Sequence, residues 1–139
     1  MGKALMILNE PAYGSERAYN GLRLAGALAK RDGAQVRVFL IGDAVTCAKR
    51  GQRAPSGYYS LETILGTVLQ DHGEVGVCGS CLDARGIADA DLTQGARRSS
   101  MEELATWAGE WADKGKAKAY QVRQVLLAIG KLKELKRER

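Results

Sequence analysis

The chain has 139 residues, of which 45% are hydrophobic and 27% charged, with a formal net charge of +5. That is an ordinary globular composition, long enough for one domain with a real core, and no apolar run approaches the roughly 20 residues that span a bilayer. Three cysteines make an odd set rather than a disulfide framework, which fits a reducing cytoplasm.

Met1 to Asn9 is too short for a signal peptide and lacks a cleavage pattern, and Met6 stands where a myristoylation motif requires Ser or Thr. Ala4 to Leu8 is instead a continuous apolar run, the pattern of a central parallel strand. Asn9 to Ser15 is a loop marked by Pro11 and Gly14; Gly14-Ser15 lacks the Lys of a phosphate-binding loop. Glu10 and Tyr13 lie in it, at the sheet edge where α/β proteins bind ligands, although a structural turn explains them nearly as well. Ser15 is placed to cap a helix running to about Lys30, with Ala18, Leu22, Ala25 and Ala29 as its apolar stripe. Asp32-Gly33 stops it. Gln35 to Ile41 reads as a second strand, followed by a turn at Gly42-Asp43 and a short helix from Ala44 to Lys49 that carries Cys47.

Gly51 to Gly57 reads as a loop. A helix from about Tyr58 to Gln70 follows, with Leu61, Ile64, Leu65 and Val68 facing the core. Gly73 ends it, and Glu74 to Val77 is the third strand. The segment Cys78-Gly79-Ser80-Cys81 comes next, two thiols spaced C-x-x-C at a strand end. Gly79 and Ser80 allow a tight turn. A thiol facing a helix N-terminus sees oriented N–H groups and a positive dipole, which lower its pKa and favour the nucleophilic thiolate. Arg85 adds positive charge a few residues on. The chemistry indicated is sulfur transfer or redox exchange.

Asp89 to Gly95 reads as a short helix. Ser99 with Glu102 fits a capping box for a further helix with apolar positions Met101, Leu104, Ala105, Ala108 and Trp111. The tail differs from the body. From Lys114 to Arg139 nine Lys/Arg stand against two Glu, a net of +7, whereas Met1 to Asp113 is near neutral at −2. Gly115 to Tyr120 is Lys-rich and low in β-branched residues, a poor buried strand. Gln121 to Arg139 reads as an amphipathic helix with Val122, Val125, Leu126, Ile129, Leu132 and Leu135 along one side. The body has no basic stripe with interleaved aromatics, which argues against nucleic acid as a partner; a basic run is more often a solvated helix face. Strands alternating with helices argue for a parallel sheet with right-handed crossovers.

Several separated blocks from Lys3 to about Asp113 carry a likeness to a known family. They are Asn9-Glu10-Pro11-Ala12-Tyr13-Gly14 with Glu16-Arg17, and Arg37 to Val45. The rest are Cys78-Gly79-Ser80-Cys81 with Asp83-Ala84-Arg85-Gly86, and Ser99-Ser100-Met101 with Trp107. In these the chain resembles the DsrE/DsrF-like family of small sulfur-relay proteins, including its YchN-type members. The resemblance implies a doubly wound, three-layer α/β fold with a parallel sheet of about five strands. It implies a homotrimer or homohexamer in the cytoplasm, handling sulfane sulfur as a persulfide with sulfur donor and acceptor proteins as partners. Cys78 with Arg85-Gly86 matches the family's strand-end cysteine; Cys81 is a second thiol that some members lack. Family chains end in a short apolar strand after a Trp-Ala-Asp-Lys stretch. Here Trp111-Ala112-Asp113-Lys114 is followed by the basic helix, as if a segment had been added or redesigned. The domain limits are therefore 1–113 for the α/β domain and 114–139 for the helix.

Function thus divides two ways. As a sulfurtransferase-like carrier, the protein uses Cys78 as sulfur acceptor and Cys81 as a resolving thiol, with Arg85, Asp83, Glu10 and Tyr13 in support. As a non-catalytic assembly subunit, natural or engineered, it uses the tail helix as an interface for higher assembly, through Val122, Val125, Leu126, Ile129 and Leu132. A thioredoxin-like dithiol oxidoreductase fits less well, because no Trp precedes Cys78. No cofactor, metal or membrane is called for: Cys47, Cys78, Cys81 and His72 supply neither a second C-x-x-C nor a His pair for zinc. His72 and Cys47 read as surface and core residues, respectively.

Overall fold

A computed structural model describes residues 2–56, 59–113 and 117–121, with 112–113 and 117–121 described as backbone. Five strands form one sheet: β1 (Lys3–Leu8), β2 (Gln35–Leu40), β3 (Glu74–Cys78), β4 (Ala96–Ser99) and β5 (Ala117–Gln121). Their order is β4-β3-β2-β1-β5, and every pairing is parallel. The helices are α1 (Arg17–Ala29), α2 (Leu61–Gln70), α3 (Gly79–Ala84) and α4 (Met101–Asp113).

From β1 to β4 the chain steps sideways in one direction, and from β4 it returns across the whole sheet to β5. Right-handed crossovers then put α4 on the face opposite α1 and α2. Strand alternation and the observed contacts agree. Val36, Val38 and Leu40 of β2 share one face, and Arg37 and Phe39 share the other. Phe39 meets Trp107 of α4 edge-on, with ring centroids 6.2 Å apart. Arg37 lies over Trp107 and Trp111, 5.0 and 4.5 Å from their centroids, and its guanidinium is ion-paired with Glu74 and Glu110. The pairing lets a charged residue sit in a central strand while its stem covers indole.

On the other face, all four stripe residues of α1, namely Ala18, Leu22, Ala25 and Ala29, are buried. In α2, Leu61, Leu65 and Val68 are buried and Ile64 is half-buried. This helix starts at Leu61, with its apolar pattern and later than the expected start near Tyr58, because Ser60 accepts a hydrogen bond from the Thr63 N–H and caps it there.

Several local expectations are corrected. Glu16, not Ser15, is the N-cap of α1, and Ser15 Oγ only accepts a long 3.4 Å contact from the Arg17 N–H. The short helix expected over 89–95 is a single 3₁₀ turn, Asp89–Asp91. After it comes β4, whose sequence Ala-Arg-Arg-Ser shows no apolar pattern because it is an edge strand of four residues. The capping interaction of α4 is one residue later than read: Ser100 Oγ accepts from the Glu103 N–H, while Ser99 donates to the Glu103 carboxylate. Met101 and Ala105 are exposed; the buried face is Leu104, Trp107 and Trp111.

The largest correction is at the C-terminus. Ala117–Gln121 is a strand, paired along β1 from Lys3↔Ala117 to Ile7↔Gln121. Lys118, one of the lysines that argued against a buried strand, is compatible with an edge position. The helix expected beyond it, with Val122, Val125, Leu126, Ile129 and Leu132, lies outside the described residues.

Gly76 tests the packing of α4. A Cβ there would stand 3.1 Å from Trp107, 3.2 Å from Ser99 Cβ and 3.3 Å from Phe39. Gly76→Val should therefore lower stability by about 1–3 kcal/mol through overpacking, read as a drop in the urea midpoint. An unchanged midpoint would mean that α4 does not press on β3.

A thiol pair at the carboxyl ends of the strands

The carboxyl ends of β1, β2 and β3 carry three segments that meet: the 10–16 loop, the 3₁₀ segment Gly42–Ala48, and α3. Backbone bonds hold them in place. The Ala12 N–H donates to Thr46 Oγ1 at 3.0 Å, and the Thr93 N–H donates to the Ala48 carbonyl at 2.8 Å. In open α/β sheets this edge is where ligands bind.

Strand β3 runs into α3 without a loop. Cys78 is both the last residue of β3 and the N-cap of α3. The tight turn expected at Gly79-Ser80 is absent. Gly79 is required for a different reason: a Cβ there would lie 2.8 Å from Arg98 Nη1 and 3.2 Å from the Ser99 carbonyl oxygen. Arg98 of β4 occupies that space as a clamp. Its guanidinium donates to the Gly79 carbonyl (3.1 Å), Asp83 (2.9 Å) and Asp89 (2.7 Å).

The two thiols are environmentally distinct. Cys78 is only 6% exposed, and its Sγ lies 3.3 Å from Ser80 Oγ. Cys81 is half-buried, and its Sγ accepts the Gly42 N–H at 3.2 Å. Burial opposes the Cys78 thiolate. Hydrogen bonds from the Cys81 thiol, the Ser80 hydroxyl and the N–H groups of residues 80 and 81 outweigh it, so the Cys78 pKa falls below the ordinary thiol value. Cys81 moves the other way. Burial raises it first, then the proton it shares with Cys78, against a smaller opposing effect of the Gly42 N–H. Helix α3 has only six residues, so its dipole is small, and these individual donors do the work expected of it.

Arg85 and Asp83 both make contacts around the thiol segment, but not with each other. Arg85 donates to Asp43 (2.7 Å) and to the Cys81 carbonyl (2.9 Å), tying the end of α3 to the 3₁₀ segment. Asp83 pairs with Arg98 instead. Glu10 is ion-paired with Arg17. The Tyr13 hydroxyl donates to Gln52 Oε1 at 2.8 Å, and Gln52 Nε2 in turn donates to the Thr46, Cys47 and Lys49 carbonyls. Glu10 and Tyr13 thus make contacts that brace neighbouring loops. Cys47 is fully buried, and burial pushes its thiol up to about 12. His72 is exposed on the turn after α2, with a positive φ of 64°. Among the described residues no three His, Cys, Asp or Glu side chains are grouped to hold a metal ion. None of the described helices is long and apolar enough to cross a membrane.

Gly42, Asp43, Ser80 and Arg98 were not singled out by the sequence. Ser80 was visible inside the C-x-x-C. The other three come from the 3₁₀ segment after β2 and from β4, and only the sheet order brings them to α3.

A parallel sheet covered on both faces, with a hydrogen-bonded thiol at a strand end, defines the class: a small α/β protein with a candidate cysteine site. The DsrE/DsrF-like family model matches residues 2–114. The protein YchN of Escherichia coli (strain K12) is 37% identical over 108 residues, 77% of this chain and 92% of that one. An uncharacterized protein of Methanocaldococcus jannaschii, MJ0989, is 36% identical over 108 residues, 78% of this chain and 93% of that one. The crystal structure of E. coli ychN protein aligns over 86% of this chain and all of its own, with a TM-score of 0.77 at 34% identity. A protein of unknown function from Methanobacterium thermoautotrophicum, MTH1491, shares the fold at 14% identity, with a TM-score of 0.66 over 87% of this chain and 99% of its own. The chain belongs to the DsrE/DsrF-like family.

Alkylation should separate the three thiols. A lowered pKa means that Cys78 is already partly thiolate at pH values where an ordinary thiol is protonated. Its iodoacetamide labelling should therefore rise at lower pH than that of Cys81, and Cys47 should stay unlabelled until the protein unfolds. Peptide mapping that finds Cys81 labelled first would reverse the assignment.

Proposed function

We propose that this protein is a sulfur-relay carrier in which Cys78 holds sulfane sulfur as a persulfide. Membership of the family supports a sulfur-relay role in general. The observation that carries the finer reading is the set of hydrogen bonds that favours a thiolate on Cys78. The Cys78 thiolate attacks the outer sulfur of a donor persulfide R–S–SH, forming Cys78–S–SH and releasing R–S⁻. An acceptor thiolate then attacks the same outer sulfur, takes it as its own persulfide, and leaves Cys78–S⁻. No net oxidation occurs in either step. The Ser80 hydroxyl and the N–H groups at the start of α3 are placed to stabilise sulfur anions on Cys78 throughout. The working form in this reading is a cytoplasmic homotrimer or homohexamer that meets donor and acceptor proteins at the strand-end edge.

Incubating the reduced protein with inorganic polysulfide should add the mass of one sulfur atom, and Cys78→Ser should abolish the gain. Equal sulfur uptake by the variant would sink the assignment. Light scattering should give a trimer or hexamer mass; a monomer would remove the oligomeric part of the reading.

A further inference from the structure

The reading above leaves Cys81 without a part in the transfer. We infer that Cys81 is a resolving thiol: it attacks Cys78 Sγ of the loaded persulfide, closes a Cys78–Cys81 disulfide and expels the outer sulfur as hydrosulfide. This rests on Cys78 being the sulfur carrier.

Three features of the site bear on it. Cys78 is the N-cap of α3 and Cys81 stands three residues on in its first turn, so the two side chains occupy neighbouring positions of one turn. Residues three apart on a helical turn have Cβ atoms about 5–6 Å apart, so closing a disulfide, whose Cβ atoms stand about 3.5–4.5 Å apart, needs a shift of about 1–2 Å at the start of α3. Finally, the Gly42 N–H points at Cys81 Sγ from 3.2 Å, and Arg85 is anchored beside it through the Cys81 carbonyl. Both favour the Cys81 thiolate that the attack needs, against burial and the proton it shares with Cys78. Cys47 cannot substitute, because it is fully buried.

The chemistry balances. Cys78–S–SH and Cys81–SH become Cys78–S–S–Cys81 and H₂S. The sulfane sulfur gains two electrons and the two cysteine sulfurs lose them. Hydrosulfide is a weaker base than an alkyl thiolate, so it is the better leaving group from the inner sulfur. A dithiol reductant reopens the disulfide and restores the carrier. The pair thus makes the site self-limiting. An acceptor thiol that arrives in time takes the sulfur; otherwise Cys81 discharges it as sulfide and closes the site until it is reduced.

The test uses the full chain, reduced and desalted, mixed with inorganic polysulfide, with intact mass and free sulfide followed over time. Cys78→Ser gives the background. The wild type should gain one sulfur transiently, then lose two hydrogens relative to the reduced form, with a Cys78–Cys81 disulfide by peptide mapping. In Cys81→Ser and Cys81→Ala the persulfide should last at least about tenfold longer, without the extra sulfide. Two variants guard against a folding defect in either. A wild-type persulfide as long-lived as in both variants would overturn the resolving role and leave the carrier reading intact. Sulfur uptake that disappears in both folded Cys81 variants would make Cys81 the acceptor, and overturn it also. No sulfur gain in any form, with no sulfide above background, would remove the carrier reading itself.

Discussion

A parallel sheet has to be covered on both faces, because its strands are apolar on both sides and cannot face water. Much of this structure follows from that constraint. Helices α1 and α2 cover one face. The other is covered only because the chain returns from β4 at one edge to β5 at the far edge, carrying α4 across the middle. Trp107 and Trp111 do most of this covering, over Phe39, Gly76 and the stem of Arg37. The same parallel arrangement gathers the carboxyl ends of the strands along a single edge, and the thiols are there.

The site is held by polar contacts that cross between elements. Arg98 of β4 fixes the start and end of α3, and Gly79 leaves the space that lets it in. The Gly42 N–H and the Asp43–Arg85 pair fix α3 against the end of β2. The Asp43–Arg85 pair is partly exposed and contributes little to stability on its own. Its consequence is positional: it sets where Cys81 lies relative to the Gly42 N–H. Two cysteines three residues apart shift in opposite directions for other reasons: at Cys78 burial is outweighed by hydrogen bonds from Cys81, Ser80 and the first N–H groups of α3, while burial and the proton shared with Cys78 raise Cys81.

Legibility in the sequence followed the strength of the apolar pattern. β1 and β2 are central strands, announced by the continuous apolar run Ala4–Leu8 and by Val36 with Val38 to Leu40; the stripe of α1 was equally clear. β4 (Ala-Arg-Arg-Ser) and β5 (Ala-Lys-Ala-Tyr-Gln) are edge strands without an apolar run, so they carry no such pattern and were not read from it. They form because backbone groups along β3 and β1 offer partners, and that offer exists only after the sheet assembles. The capping residue of α4 was misplaced by one position because two serines stand together. Only the backbone decides which of them precedes the first helical turn.

Local chemistry was determined by the sequence itself: a strand that ends in C-x-x-C, an arginine a few residues on, the core stripes of α1 and α2, and the family blocks. Those features depend on residues close together in the chain, so spacing suffices to read them. Tertiary structure decided the rest. It sent Tyr13 to Gln52 and Glu10 to Arg17, separated Asp83 from Arg85 by giving each a partner from another strand or its connection, and buried Cys47 beyond the reach of reagents. Above all it brought the Gly42 N–H to one thiol and the Ser80 hydroxyl to the other. The physical reason is that a hydrogen bond depends on distance and direction in space. Two of the strands that set those distances at α3, β2 and β4, lie far from it in the chain or are invisible in its pattern.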